Sequence, residues 1–522
     1  MPDYQVIVAG GGPVGLATAV ELGRRGISVL IIEPREAVSH ARPRCKTVNV
    51  RTMEHLRRWG IADELRERAP LSAEWAQDAV FCTSLLGREL SRFTGVLGLR
   101  RDGDRFPEPG QQVPQYVLEE LLRETVRKLP TCAFVTGVAL TEAEQDADQV
   151  LVTLTDGDGV TRTVAGEYLV GCDGPRSAVR ETIGARYIGQ QALRPNFGIV
   201  FRAPGLWRDV QHGKAVHYWI INPECPALLG PIDDSETWWI IAFGIDRETG
   251  ERDALQLIDS ATGTKTDATV LSTDPWTARM QIVDRMRDGR IFLAGDAAHL
   301  NPPFGGHGLN TGIGDAVDLG WKLAGVLQGW GGPALLDSYE LERRPIQERV
   351  IHEATANMAV TSLELLDPDL DADSPAGESA RQATAERIQA GKRAEFHSLE
   401  LVLDACLDTS PVIRHEAGIA SSRLPHAWLG NGTRSVYDEL GSGFTLLCLT
   451  FAALQHSHLL TCAAQRQGIP CKVVDLSTTA LRPRYGADLV LVRPDQYVAW
   501  SGDQLPAPEP LISQITGFAA GP

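Results

Sequence analysis

The sequence predicts an α/β protein with α+β elements: a domain led by a β-α-β unit, an antiparallel sheet inserted into it, and a small separate α/β domain towards the C-terminal end. Three observations carry that prediction. Residues 4–9 (YQVIVA) and 27–32 (ISVLII) are β-branched runs on either side of a helical stretch at 14–22. Between about residues 190 and 285 the chain turns to strand-like segments, such as 215–221 (AVHYWII) and 237–243 (TWWIIAF), separated by Pro, Gly and Asp. Beyond residue 400 strand and helix alternate again, with strands expected at 444–449, 472–475 and 489–492.

The remaining elements follow in order. Helices are expected at 50–59 and at 117–128, where Leu118, Leu121 and Leu122 share one face. Strands return at 150–154 and 161–170, and helical apolar spacing resumes over 312–327 and 339–360. The acidic, turn-rich stretch 367–375 (DPDLDADSP) reads as an exposed linker. These assignments divide the chain into a discontinuous nucleotide-binding domain (1–180 with 285–365), an inserted sheet (181–284), a linker (366–394) and a C-terminal domain (395–522).

At 522 residues and 43% hydrophobic composition the chain can fill two or three cores. A net charge of −17 and a pI near 5.2 argue against nucleic acid or an anionic membrane as partner, since a phosphate-binding face needs clustered Lys and Arg. Nine cysteines occur with no C-x-x-C, so neither a disulfide framework nor a structural metal site is expected, and reduced thiols fit a cytoplasmic location. Asp3 and the glycines from position 10 interrupt the first apolar run where a signal peptide would need it continuous, and no stretch reaches the ~18 apolar residues of a membrane span.

Gly10-Gly11-Gly12-Pro13-Val14-Gly15 satisfies G-x-G-x-x-G between the first strand and the first helix, with Glu33 at the end of the second strand. That is the Rossmann-like arrangement. The glycines permit a tight turn and close approach of a pyrophosphate, the helix supplies free amides, and Glu33 accepts from ribose hydroxyls. An acid at that position disfavours a 2′-phosphate, leaving FAD or NAD as the held nucleotide. Two further motifs follow. Residues 168–180 (YLVGCDGPRSAVR) run from a strand into Asp173-Gly174, and residues 290–310 (RIFLAGDAAHLNPPFGGHGLN) run from a strand through Gly295-Asp296 into a Pro/Gly-rich loop and a helix.

In that order the three motifs resemble the class A flavoprotein aromatic hydroxylases, the family of para-hydroxybenzoate hydroxylase, and within it the larger phenol and polyketide hydroxylase branch. The resemblance implies that FAD is the bound cofactor and that Asp296 holds its ribityl chain. It also implies that the loop Pro303, Gly306, His307, Gly308, Leu309 and Asn310 brings backbone amides to the flavin ring, where a helix N-terminus favours the negative charge of reduced flavin. The family commonly carries Gln where this chain has His307, so a group titrating near neutrality would sit beside the flavin. Asp173 is associated with both flavin and nicotinamide in relatives, or serves as a capping acid. Arg44 and Gln115 match positions that contact the flavin or its pyrophosphate. With a single G-x-G-x-x-G, the nicotinamide cofactor, NADPH or NADH, is expected to dock transiently.

In the family the inserted sheet forms the substrate wall. Tyr218 and His217 are the candidate pocket residues, and Trp219, Asn222, Trp238 and Trp239 lie nearby. Because successive strand residues face opposite sides, at most one of Trp238 and Trp239 can line the pocket. The stretches 423–428 (RLPHAW), 437–438 and 491–500 (LVRPDQYVAW) resemble the appended thioredoxin-like domain of the larger hydroxylases, whereas 399–404 (LELVLD) departs from the glycines usual there. Without a C-x-x-C that domain is expected to be structural or to form a homodimer contact. The resemblance implies reduction of FAD by NAD(P)H, capture of dioxygen as a C4a-hydroperoxyflavin, and hydroxylation of a phenolic or polyketide-type aromatic substrate. Baeyer–Villiger or epoxidising chemistry on a polyketide, and an FAD-binding protein without turnover, are the alternatives.

Overall fold

A computed structural model describes residues 2–41, 47–101, 103–191, 194–358, 363–416, 418–430 and 432–518. Arg44, expected to contact the flavin, lies outside the described residues. The strands Tyr4–Ala9 and Val29–Glu33 are parallel neighbours, as the opening β-α-β unit requires, and the helix Pro13–Gly23 returns between them. Thr161–Gly171 pairs in parallel with the other side of Tyr4–Ala9, and Ile291–Leu293 pairs in parallel with Thr161–Gly171. Both glycine-acid motifs therefore leave the same edge of one sheet as the G-x-G-x-x-G turn. That is where an open parallel sheet gathers a ligand site. Cys132–Thr136 extends the sheet, and Val150–Asp156 with Val138–Gln145 forms an antiparallel excursion from it.

The second sheet has seven strands in the order Thr269–Thr277, Pro195–Arg202, Thr237–Phe243, Ala227–Pro231, His217–Ile220, Ala79–Cys82, Glu89–Phe93. Here the structure corrects the expected division of the chain. Two strands come from within residues 1–180, because Ala79–Cys82 pairs in parallel with His217–Ile220 and cannot be assigned to a separate domain.

The expected linker 366–394 is corrected as well. Pro375–Phe396 is a helix capped by Ser374, whose side chain accepts from the Gly377 amide, and its Ile388 and Phe396 are buried against the second sheet. Leu365 and Leu370 join that core, so the acidic run 367–375 exposes Asp369, Asp371 and Asp373 while its one leucine, Leu370, is buried. The two faces of the second sheet bury different sets. One packs Tyr218, Ile220, Trp238 and Ile240 against Ile258 and Ala261 of the helix Arg247–Thr262. The other packs Phe81, Trp219 and Phe243 against the helix Pro375–Phe396 and against Phe304, which precedes the helix His307–Leu327.

In the C-terminal domain Phe444–Cys448 pairs in parallel with Cys471–Asp475 across the helix Phe451–Arg466, and antiparallel strands Leu489–Val492 and Val498–Gly502 complete a four-stranded thioredoxin-like sheet. Residues 399–404, where the glycines are missing, form the short helix Leu399–Leu403. The eight cysteines described are all free.

Candidate functional site: a flavin cradle beside an aromatic wall

The first turn has the shape its glycines require. Gly10 has φ +105°, and a Cβ there would lie 2.3 Å from the Cys172 carbonyl oxygen, while a Cβ on Gly15 would lie 1.9 Å from the Gly10 oxygen. These two glycines close the turn against the strand Thr161–Gly171. Gly12 differs, since a Cβ there would meet nothing within 4 Å. It caps the helix Pro13–Gly23, so the amides after Pro13 and Val14 face open space uncovered by any capping side chain, as an anionic pyrophosphate needs. Glu33 is buried at the end of the second strand and accepts from the Gly11 amide at 2.9 Å and from the Arg35 amide and Nε at 3.0 and 2.6 Å. Burial alone would raise its pKa, but hydrogen bonds from Arg35 and Gly11 hold it below the usual carboxylate value.

Asp173 accepts from the Val179 amide at 3.2 Å and so helps cap the short helix Ala178–Thr182 begun by Ser177. Its Oδ1 is buried without a hydrogen-bond partner among the described residues, and burial raises its pKa. The acid thus caps that helix through one oxygen and leaves the other unpaired among the described residues. Arg180 of the same helix stacks on Tyr187 at 4.2 Å and donates to its Oη at 3.0 Å, and the Tyr187 hydroxyl donates to the Asp296 carbonyl. The D-G motif is thereby tied to the G-D motif. Asp296 itself is exposed at the mouth of the cradle, while Gln115 is half-buried in the first turn of the helix Gln115–Arg127.

The loop after Asp296 leads into the helix His307–Leu327, capped by Gly306 with φ +66°. A Cβ on Gly308 would meet nothing within 4 Å, so backbone is open there too, beside an exposed Pro303. Asn310 is otherwise engaged. Its side chain accepts from the Asn49 amide (2.9 Å) and Thr52 hydroxyl (2.8 Å) and donates to the Thr47 and Gly306 carbonyls (3.0 and 2.7 Å), so it clamps the loop rather than facing a ligand. Leu309 packs on the core of the first domain. His307 requires a correction. It is buried, its Nε2 has no hydrogen-bond partner among the described residues, and burial pushes its pKa down to about 4, so it is neutral rather than titrating near neutrality.

On the sheet the two pocket candidates separate. Tyr218 faces away from Phe304, packed among Trp238 and Ile220 with its hydroxyl donating to the Gly213 carbonyl, because it is one residue out of phase with Trp219 on the strand. His217 lies on the opposite face with Trp219 and Phe243, whose rings meet Phe304 at 5.9 and 6.0 Å between centroids. Trp239 alternates away from Trp238 as expected and donates from Nε1 to the Pro231 carbonyl at 3.2 Å. Asn222 is a turn clamp, donating to the Thr83 and Ser260 carbonyls.

Sequence reasoning missed Asp315. This wholly buried carboxylate accepts from the Gly295 amide (3.1 Å), His299 Nε2 (2.8 Å), Arg343 Nε (2.8 Å) and Gln347 Nε2 (2.9 Å), and so fixes the G-D-A-A-H turn to two helices. Burial would raise its pKa, but Arg343 and His299 outweigh burial and hold it at about 2. The available signal was three charges, Asp315, Asp318 and Lys322, inside a helix whose second half is otherwise apolar all round. Phe304 was missed because an apolar ring inside a glycine-rich loop carries no chemical signal, and the helix Pro375–Phe396 for want of any motif.

These features fit FAD: uncovered helix amides beside the open Gly12 suit the pyrophosphate, an exposed acid suits the ribityl hydroxyls, and open backbone at Gly308 suits the ring. Known proteins agree. Residues 3–354 match the model of an FAD binding domain family, and 418–518 match that of the aromatic-ring hydroxylase C-terminal region. The chain is 32% identical over 537 residues to the tetracenomycin B2 monooxygenase-dioxygenase of Streptomyces olivaceus, spanning 96% of this chain and 95% of that one. Its structure resembles that of the rebeccamycin biosynthetic enzyme RebC with reduced flavin (TM-score 0.90, 34% identity, 99% of each chain). It also resembles aklavinone-11 hydroxylase in complex with FAD and aklavinone (TM-score 0.83, 27% identity, 99% of each chain). Cradle geometry, motif order and full-length similarity make this chain a member of the FAD-dependent aromatic-ring hydroxylase family, an FAD-binding monooxygenase.

Proposed function

We propose that the enzyme hydroxylates a phenolic or polyketide-type aromatic compound, using NADPH or NADH as reductant and dioxygen as oxidant. The observation that supports this reading is the meeting of Trp219 and Phe243 with Phe304, three residues before the helix His307–Leu327, which forms an aromatic wall beside the loop read as the flavin loop. Flat apolar rings suit such a wall. The names of the tetracenomycin and aklavinone enzymes support a polycyclic aromatic substrate. When bound, FAD would supply the electron-transfer and dioxygen-activating chemistry that no side chain of the protein provides. The chain's own groups do the rest. Open amides of the helices Pro13–Gly23 and His307–Leu327 hold negative charge without help from the neutral His307, and the buried aromatic wall excludes water from the reacting edge.

Gly12, Asp296 and the Asp173 Oδ1 are the proposed cofactor contacts, with Gln115 at the cradle's edge. The same reading puts the enzyme in the cytoplasm, where NAD(P)H and free thiols coexist, and gives the C-terminal domain a structural or dimer-contact role. The test is a panel of phenols, naphthols and anthraquinones scored for stimulation of NAD(P)H oxidation, with mass analysis of products. A product heavier by one oxygen supports the reading. Oxidation that no aromatic compound stimulates contradicts it.

A further inference from the structure

Within the aromatic wall sits one cation that no motif announces. Lys392, on the helix Pro375–Phe396, is completely buried, with Nζ 4.2 Å from the Trp219 ring centroid and 5.3 Å from that of Phe304. Nζ donates to the Asn357 carbonyl at 2.7 Å and to Glu395 Oε2 at 2.8 Å. An ammonium has three N–H groups, so one remains on the side facing the rings. Below it, two residues apart on one strand and hence on one face, lie His217 and Trp219. His217 Nε2 and Trp219 Nε1 are both buried and have no hydrogen-bond partner among the described residues.

Buried polar atoms are ordinarily satisfied, and an isolated orphan is costly. Here an acceptor and a donor are left open beside an ammonium whose third N–H is met only by aromatic ring faces, on the face of the sheet that meets Phe304. His217 has its pKa depressed to about 3, by burial first and the Lys392 charge second, so it is neutral and able to accept.

We propose that His217, Trp219 and Lys392 form a binding subsite for a hydroxyl oxygen on the aromatic substrate. The hydroxyl donates to His217 Nε2 and its oxygen accepts from Trp219 Nε1–H and Lys392 Nζ–H. This rests on the function proposed above and names what orients the ring. A subsite built to hydrogen-bond an oxygen rejects the analogue lacking it, because the polar atoms then stay unpaired.

The test uses the FAD-loaded enzyme with two probes of equal size, 1-naphthol and 1-methylnaphthalene, titrated by perturbation of the flavin absorption spectrum. The wild type binds 1-naphthol about tenfold more tightly or better, a preference of about 1.4 kcal/mol. Lys392→Met and His217→Phe each lower that preference at least threefold while leaving 1-methylnaphthalene affinity within about twofold, and Lys392→Arg retains part of it. Unchanged preference in either flavin-loaded variant overturns the subsite, as does equal weakening of both probes, the mark of a packing role. Should Lys392→Met lose its flavin, His217→Phe decides alone. A wild type that binds neither probe overturns the aromatic-substrate reading itself, and a wild type that binds both equally overturns only the subsite.

Discussion

Gly12 and Gly15 stand three residues apart in one motif, yet replacing each by alanine has opposite consequences. At Gly15 a methyl group would meet the Gly10 oxygen at 1.9 Å, so Gly15→Ala disrupts the turn and the fold behind it. At Gly12 the methyl enters open space at an ordinary φ of −79°, so Gly12→Ala leaves apoprotein stability within about 1 kcal/mol and lowers FAD affinity about tenfold or more. Calorimetry of apoprotein and FAD titration separate the two. Asp296→Ala weakens FAD retention without unfolding the protein, because that carboxylate is exposed. Full flavin occupancy of purified Asp296→Ala would contradict this. The buried histidines set a pH dependence. His307 and His217 have folded-state pKa values depressed to about 4 and about 3 from an ordinary 6.5. Below pH 6.5 the unfolded chain binds protons that the folded chain refuses, so stability is full above 6.5 and falls as pH drops towards 4. His307→Gln should reduce that acid loss by on the order of 1–3 kcal/mol, read from Tm between pH 7 and 4.5. At this scale the sequence was legible where a residue's type fixes its role, as with Gly10, Gly15 and Glu33. It misled at Tyr218 and His307: strand phase decides which face Tyr218 occupies, and burial decides the charge of His307.

At the scale of elements, the G-D-A-A-H turn is held by a helix rather than by its own loop. Asp315 joins that turn to Arg343 and Gln347 across two helices with all four partners buried or nearly so. Asp315→Asn would leave Arg343 without its counter-charge, which costs about 3–5 kcal/mol for a buried pair. The expected outcome is a Tm well below wild type together with faster FAD loss, and an unchanged Tm would show that the turn holds itself. The opening β-α-β unit and the strands of the second sheet were legible because period and turn residues act locally. The helix Pro375–Phe396 was not: its acidic approach resembles a linker, and its apolar residues find their purpose only against a sheet far away in sequence.

Across the whole molecule, the C-terminal domain docks through an apolar core that takes in Trp321, Trp330 and Leu335, and through a buried charge network beside it. Arg493 is buried among Asp318 (3.1 Å), Glu342 (2.8 Å) and Asp495 (2.6 Å), while Lys322 donates to Asp318 and Glu342 at 2.8 and 2.6 Å. Trp321 Nε1 donates to Asp495 at 3.1 Å and Ser410 donates to Glu342, so the helices of the first domain and the last domain share one network. No sequence motif shows such a clamp, because its members lie as far apart as residues 318 and 495. Thiol chemistry plays no part in it, and flavin turnover is expected to survive replacement of Cys448, Cys462 and Cys471 by Ala. This architecture is expected to deliver one atom of dioxygen to an aromatic ring. Turnover of a stimulating substrate under ¹⁸O-labelled dioxygen tests it most directly: a ring-hydroxylated product should carry one labelled oxygen atom, whereas a product without label, formed from a substrate that is truly turned over, would contradict it.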